Sequence, residues 1–553
     1  MKHTLLYSLA LLLILGLAGC QDLSVENANN PDRTLALARP GDVEALIAET
    51  FTDYWTASQW CSAGALFLST IADENSSAWA NWGMRDMSSE PRIAWDNGST
   101  YNRRSSTENP WFRGYRGISN ASDGLQAIAR AEAEGSVEDN VYTREGFNTD
   151  RLKAFAKLNQ GLIHGWLALM FDQAFIVDET VDLENDVLSL SPYQDVMQAA
   201  LGFLDEARAI AQNNIGDDSF TITADEDWIF SVEVDAELMV KLANSFAARF
   251  MVQLPRDEAA RAAVNWGEVV NRIDNGITED FVPIGDDSGS INETDCLKRY
   301  GQNGTTWSRA DYRTIGPADE SVCDPGDDKI NCYQEWIDTP LQDRLVFDIF
   351  TTDRRIVGDA SDLTVDGTDF QYQGNNGPFP AARGTYHYSS HNHKRYQEFF
   401  NNSQNGPMPN MLVAEMDMYR AEALLRTGGS TDEVAALINK TRVARGQLNP
   451  ASGSDPVGSS TDGHSHLDNV SLWAKMKYER RIETFQTAAG LAYFDKRGLG
   501  DLVTGTPIHF PIPGKELETL ALQNYTFGGV GGPGSAPKWL QETAYEEYHP
   551  RVK

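Results

Sequence analysis

The chain has 553 residues, 41% of them hydrophobic, and carries 80 Asp and Glu against 46 Lys and Arg, a formal net charge of −34. Length and apolar content support one large domain or several ordinary ones with a packed core. So acidic a balance excludes nucleic acid as a partner, because phosphate binding needs a basic surface, and excludes direct adhesion to anionic lipid headgroups.

Lys2 and His3 precede an apolar run over 9–17 that is too short to span a bilayer. Leu17-Ala18-Gly19-Cys20 closes it, with small residues directly before a cysteine, the layout of a secretory signal and its cleavage site. It resembles the lipobox of bacterial lipoproteins. That resemblance implies removal of 1–19, lipid attachment at Cys20 and a membrane-anchored chain. Each buried methylene contributes about 0.8 kcal/mol and a single acyl chain binds only marginally, so lasting attachment needs several. Residues 20–40 are polar and read as a tether or an extended strip, with one α domain over 41–553. Of the other cysteines, Cys323 and Cys332 bracket a short polar loop and are placed to pair, while Cys61 sits in an apolar stretch and reads as a buried free thiol.

Helical periodicity then dominates. A helix is expected over 43–60. Phe155, Leu158, Leu162, Trp166 and Leu169 share a face, with Asp150 as N-cap. Ser191-Pro192-Tyr193-Gln194 has a capping-box outline ahead of Val196, Met197, Ala200 and Leu204. Leu238, Leu242, Phe246 and Phe250 run to Pro255, and a helix from Asp257 carries Trp266, Val269 and Ile273. Late in the chain, Leu412, Met416, Tyr419 and Ala423 lead to Gly428, Ser430 opens the next helix, and 472–485 forms another. Pairs at 150–212, 233–275 and 412–446 look like degenerate tetratricopeptide-type hairpins, which bury their faces only by stacking on neighbours. Between 276 and 410, Gly, Asp, Asn, Pro and aromatics replace that periodicity. The fold class is therefore mainly α: a scaffold of tetratricopeptide-like hairpins with a loop-rich irregular insertion carrying a few short strands.

Specific residues resemble the SusD/RagB family of surface lipoproteins. They are the strip Asp22-Leu23-Ser24-Val25-Glu26-Asn27 with Asn30-Pro31, the segment Leu242-Ala243-Asn244-Ser245 with Arg249, and Tyr419-Arg420-Ala421-Glu422-Ala423. Ile438-Asn439-Lys440-Thr441-Arg442, Glu479-Arg480-Arg481-Ile482-Glu483, Phe494-Asp495-Lys496-Arg497-Gly498 and Phe510-Pro511-Ile512-Pro513 follow in the family's order. One departure is local: the usual Glu-Gly-x-Arg segment reads Thr487-Ala488-Ala489-Gly490-Leu491. The resemblance implies an outer-membrane protein facing the cell exterior. It implies binding of an oligosaccharide, or another oligomeric nutrient such as a peptide, and delivery to a SusC-like TonB-dependent transporter, without catalysis or cofactor.

Two other readings compete, a surface glycan hydrolase and a helical-repeat scaffold without small-ligand binding. Glu479 and Glu483 lie one turn apart beside arginines that would keep both ionised, which suits an ion-pair network better than acid–base work. His391 and His393, and His464 and His466, lie in polar loops without a third ligand and read as surface residues, not metal ligands. Aromatics outside the helical faces are the stronger lead, because flat rings with polar tips suit a half-wet sugar site. Trp79 and Trp82 after Asp73-Glu74-Asn75, and Trp307 and Trp336 in the insertion, are the candidate substrate-binding residues. Trp95, Tyr312 and Tyr333 belong to the same group of loop aromatics.

Overall fold

The computed structural model describes residues 37, 39–135, 148–182, 185–286, 295–301, 308–321, 332–344, 347–374 and 388–537. Cys20, Trp307 and Cys323 lie outside these residues. No helix among the described residues is long and apolar enough to cross a membrane.

The expected first helix is two, α1 (Pro40–Ala48) and α2 (Thr50–Ser58), meeting at Glu49. Then come α3 (Ser105–Ala133), α4 (Asp150–Met170), α5 (Tyr193–Gln212), α6 (Ala236–Gln253) and α7 (Trp266–Asp274). After the irregular stretch come α8 (Val413–Thr427), α9 (Thr431–Arg442), α10 (Leu472–Glu483) and α11 (Leu491–Leu499). From α3 to α10 each of these helices packs on the next, and α7 packs directly on α8 across the 276–410 interruption. The three expected hairpins are α4–α5, α6–α7 and α8–α9, joined into one stack.

Local chemistry sets the boundaries. The side chains of Asp235, Asn265 and Ser430 accept the backbone N–H groups of Leu238, Glu268 and Glu433, so each caps its helix. The helix expected from Asp257 onward is also two, because Asn265 caps a fresh start after Glu258–Ala262. At α4 the capping acceptor is Asn148, which takes the N–H of Arg151, rather than Asp150. Ser191 and Pro192 do not form a capping box. They end the strand Leu190–Pro192, which pairs antiparallel with Gln173–Phe175. Helix approach is close where side chains vanish: a Cβ on Gly161 of α4 would sit 2.7 Å from Leu204 of α5, and one on Gly165 would strike the Phe250 ring of α6. At the C-terminus of α4, Arg256 donates to the carbonyls of Ala168 (3.0 Å) and Phe171 (2.7 Å) and Arg497 to that of Leu169 (2.8 Å). Two buried guanidiniums thus complement the negative end of the helix dipole.

The irregular stretch contributes most of the short antiparallel strand pairs. Ile284–Asp286 pairs with Asn405–Pro407, and Phe281 bridges Met411, so chain leaving α7 and chain entering α8 run side by side. Phe370–Tyr372 pairs with His391–His393, Val357–Asp359 with Asp362–Asp366, and Arg309–Ala310 reaches back to Asn75–Ser76. Tyr312, Trp336, Ile349, Ile356 and Phe370 form a second apolar core with Tyr478, Ile482 and Phe485.

The polar residues of these motifs are partners of one another. Arg249 pairs with Glu415 at 2.7 Å, Glu422 lies between Arg261 (2.7 Å) and Arg480 (2.6 Å), and both arginines reach Asp495. Glu479 and Glu483 face Arg355, at 2.6 and 2.8 Å, with Asp353 on its other side. This corrects the sequence reading in detail. Positions i and i+4 share a helix face whereas i+1 and i+2 do not, so Arg480 and Arg481 turn away and the cation comes from the insertion.

The histidines are corrected outright. All four are buried: His391 stands against Tyr372, and His393 against Phe370, Tyr396 and Phe485. His464 meets Arg481, and His466 Nε2 lies 2.7 Å from Glu320. Their strand and loop are covered on both faces, so a polar-looking sequence is interior.

Candidate functional site

Helix α3 carries Ser106, Asn109 and Arg113 at spacings of three and four, on one face. The Ser106 hydroxyl donates to the Trp82 carbonyl (2.8 Å). The Asn109 amide donates to the Ser62 hydroxyl (2.7 Å) and carbonyl (3.1 Å). The Arg113 guanidinium lies over the Trp60 ring, 4.0 Å from its centre. At about 1.5 Å of rise per residue these anchors span roughly 10 Å, so Trp82 and Trp60 stand two turns apart along one edge.

The insertion completes that edge. Cys61, next to Trp60, is bonded to Cys296 across 235 residues, with the Cα atoms 5.0 Å apart. This corrects the reading of Cys61 as a free thiol, whose partner no local spacing could reveal. Lys298 fixes the same segment through Asp295 (2.9 Å) and the carbonyls of Pro409 (2.7 Å) and Thr487. Burial pulls the Lys298 ammonium below its usual range and pushes the Asp295 carboxyl up, each opposed by its partner. Held in this way, the Tyr300 ring meets Trp82 with centroids 5.4 Å apart and planes tilted by 43°, and the Arg299 guanidinium lies 4.9 Å from the Tyr300 centroid.

Trp82 sits at φ +52° and Gly83 at φ +83°. The left-handed region costs a bulky residue about 1–2 kcal/mol, so this turn stores strain beside a half-buried ring packed against the core. Trp79 is 37% exposed, with its N–H on the Ser77 hydroxyl (3.2 Å) and its carbonyl on the N–H of Arg85. Tyr101 donates to Asp86 at 2.7 Å beside this turn, and burial with that carboxylate pushes the phenol well above its usual range.

Trp79 and Trp82 therefore stand on the rim. Trp336 does not: it is 4% exposed, packed between Tyr312 and Tyr333 with Arg344 over its face, and we correct its assignment to core. Trp95, Tyr312 and Tyr333 are buried as well. Trp60 and Tyr300 were missed, the first because it ends an apolar helix and the second because only the long-range disulfide brings it to Trp82. Cys332 is disulfide-bonded. Glu479 and Glu483, at most 2% exposed, offer no acid–base pair to a substrate. Burial raises Glu479, with Arg355 opposing; it acts on Glu483 too, where Arg355, Arg395 and Arg445 outweigh it and hold the carboxyl low.

Solved structures with this architecture are known. A SusD homologue from Parabacteroides distasonis superposes with a TM-score of 0.54 at 13% identity, over 90% of this chain and 98% of its own. The chain has the SusD fold. A SusD superfamily protein from Bacteroides vulgatus gives 0.51 at 14% identity, over 87% and 97% of the two chains. A SusD-like carbohydrate-binding protein from Bacteroides fragilis gives 0.50 at 15% identity, over 93% and 98%. No protein-family model matches the sequence, and no curated protein matches it. The SusD likeness is thus one of fold, carried by a stack whose motif residues are buried ion pairs.

Proposed function

We propose that this protein is a non-catalytic cell-surface lipoprotein that binds an oligosaccharide along the rim formed by Trp60, Trp79, Trp82 and Tyr300. The observation that carries the reading is the row of rings, pinned by α3 on one side and by the Cys61–Cys296 bond on the other. Rings fixed this way lose little freedom on binding, and preorganisation converts contact area into affinity. A carbohydrate-binding neighbour on the same fold supports the ligand class.

The same proposal includes processing after residue 19, acylation of Cys20 at the outer membrane, a tether over 20–40, and a single domain over 41–553 with 276–410 as its insertion. It also includes a bond between Cys323 and Cys332, and transfer of the bound nutrient to a SusC-like TonB-dependent transporter. A glycan and peptide array, read with co-purification from membranes, tests it. The expected result is glycan binding without turnover, weakened about tenfold or more, the equivalent of ~1.4 kcal/mol, by Trp82→Ala or Tyr300→Ala. Polymer turnover would return the hydrolase reading, and transporter association without glycan affinity the scaffold reading.

A further inference from the structure

Resting on the rim reading above, we propose that the oligosaccharide taken by this rim is acidic, bearing carboxylate or sulfate groups. In a chain of net charge −34, carboxylates are in excess and arginines are readily paired. Residues 79–120 depart from that balance, with six Arg against four Asp or Glu. Two arginines on the rim, Arg113 and Arg299, have no carboxylate partner among the described residues; each is laid on an aromatic ring instead.

Asp53, whose charge reaches Arg113, is already taken. The Arg116 Nε lies 2.6 Å from its Oδ1, and the Asn120 amide donates to its Oδ2 at 2.9 Å. Burial and the neighbouring Arg116 together make the Arg113 charge costly, and an incoming anion would relieve that cost. Stacking fixes a guanidinium's plane and leaves its edge N–H groups free, the geometry that takes a carboxylate or sulfate through two parallel hydrogen bonds. Arg113 and Arg299 therefore occupy one face each of Trp60 and Tyr300, and the rings act as holders for two cations. Trp79, 37% exposed, is the ring placed to meet a sugar face. A ligand made of charged and uncharged pyranose units, with its charges toward the two ends of the rim, meets this arrangement.

Calorimetry on the mature protein with four probes tests the idea: tetragalacturonate, a sulfated carrageenan tetrasaccharide, cellotetraose and maltotetraose. Thermal melts show that each variant folds. The expected result is binding of one acidic probe, weakening as salt rises, with a loss of about tenfold or more in each of Arg113→Gln, Arg299→Gln and Trp82→Ala. The two acidic probes separate uronate from sulfate. A neutral probe that binds independently of salt, unaffected by both arginine variants yet weakened by Trp82→Ala, would overturn the acidic inference and leave the rim reading standing. Glycan binding indifferent to Trp82→Ala and Tyr300→Ala would overturn the rim itself. No binding by any of the four probes would overturn the acidic inference.

Discussion

The helical stack and the 276–410 insertion both combine apolar packing with buried ion pairs, and they differ in what sets their local structure. In the stack, α4 packs on α5 and α6 through apolar faces and glycine contacts, and its boundaries follow from caps and turns. In the insertion, short strands pack over a second apolar core and are tied to the stack by long-range polar and covalent links. Arg355 is surrounded by Asp353, Glu479 and Glu483, Arg445 reaches both Asp369 and Glu483, and Cys296 is bonded to Cys61. The difference teaches how the proposed binding rim is positioned. One half is a helix face, the other a segment clamped from a distance.

The largest effect should follow from breaking the clamp at its centre. Arg355→Gln leaves the buried carboxylates of Asp353 and Glu479 without their cation, while Glu483 keeps Arg395 and Arg445, a change that costs about 3–5 kcal/mol where one partner of a buried pair is removed. Chemical denaturation should show that loss. A cost under about 1 kcal/mol would mean that the insertion does not depend on this cluster.

Next in size is the disulfide. Cys61→Ser with Cys296→Ser should cost about 2–4 kcal/mol. It should also release Tyr300 from Trp82, seen as a rise in accessible tryptophan by fluorescence quenching. An unchanged quenching profile would show that Lys298 holds the segment unaided.

Acid should then separate the two regions. Burial holds His391 down at about 4 and pushes His393 well below the usual range in the insertion, whereas the α4–α5 hairpin carries one such group, His164, held down at about 4. A histidine at about 6.5 when unfolded and lower when folded is neutral in both states above that pH, so its contribution is intact there. As pH falls from 6.5 toward 4, the unfolded chain binds protons the folded one refuses, and stability is lost. Hydrogen exchange near pH 5 should show the insertion strands opening before the α4–α5 hairpin, and His391→Gln should reduce the effect. Uniform opening would contradict the distinction.

The smallest effect is expected in the stack. Ser430→Ala removes the side-chain acceptor for Glu433 N–H at the start of α9 and should cost about 1 kcal/mol. No response at the rim should accompany it.

Sequence legibility follows the same division. Tetratricopeptide-like pairing, the cap at Ser430 and the stop at Gly428 (φ +70°) are local signals and were readable. The exposure of Trp79 was also readable, because it stands in a polar segment outside any helical face. Trp336 misled, since a loop aromatic and an irregular-core aromatic look alike in one dimension. His391 and His393 misled for the same reason: His–Asn–His reads as surface until Tyr372, Phe370 and Phe485 close over it. Tyr300 and the partner of Cys61 depend on contacts more than 200 residues apart, for which no periodicity exists.

Hydrogen–deuterium exchange of the mature protein, with and without its array-identified glycan, tests the central claim most directly. Protection confined to the segments around Trp60, Trp79–Trp82, the first turns of α3 and Arg299–Tyr300 is the expected result. Protection centred instead on the open acidic groove of about 420 Å³ between Asp235, Glu237, Lys241, Glu279 and Asp280, with the aromatic segments unchanged, would contradict it.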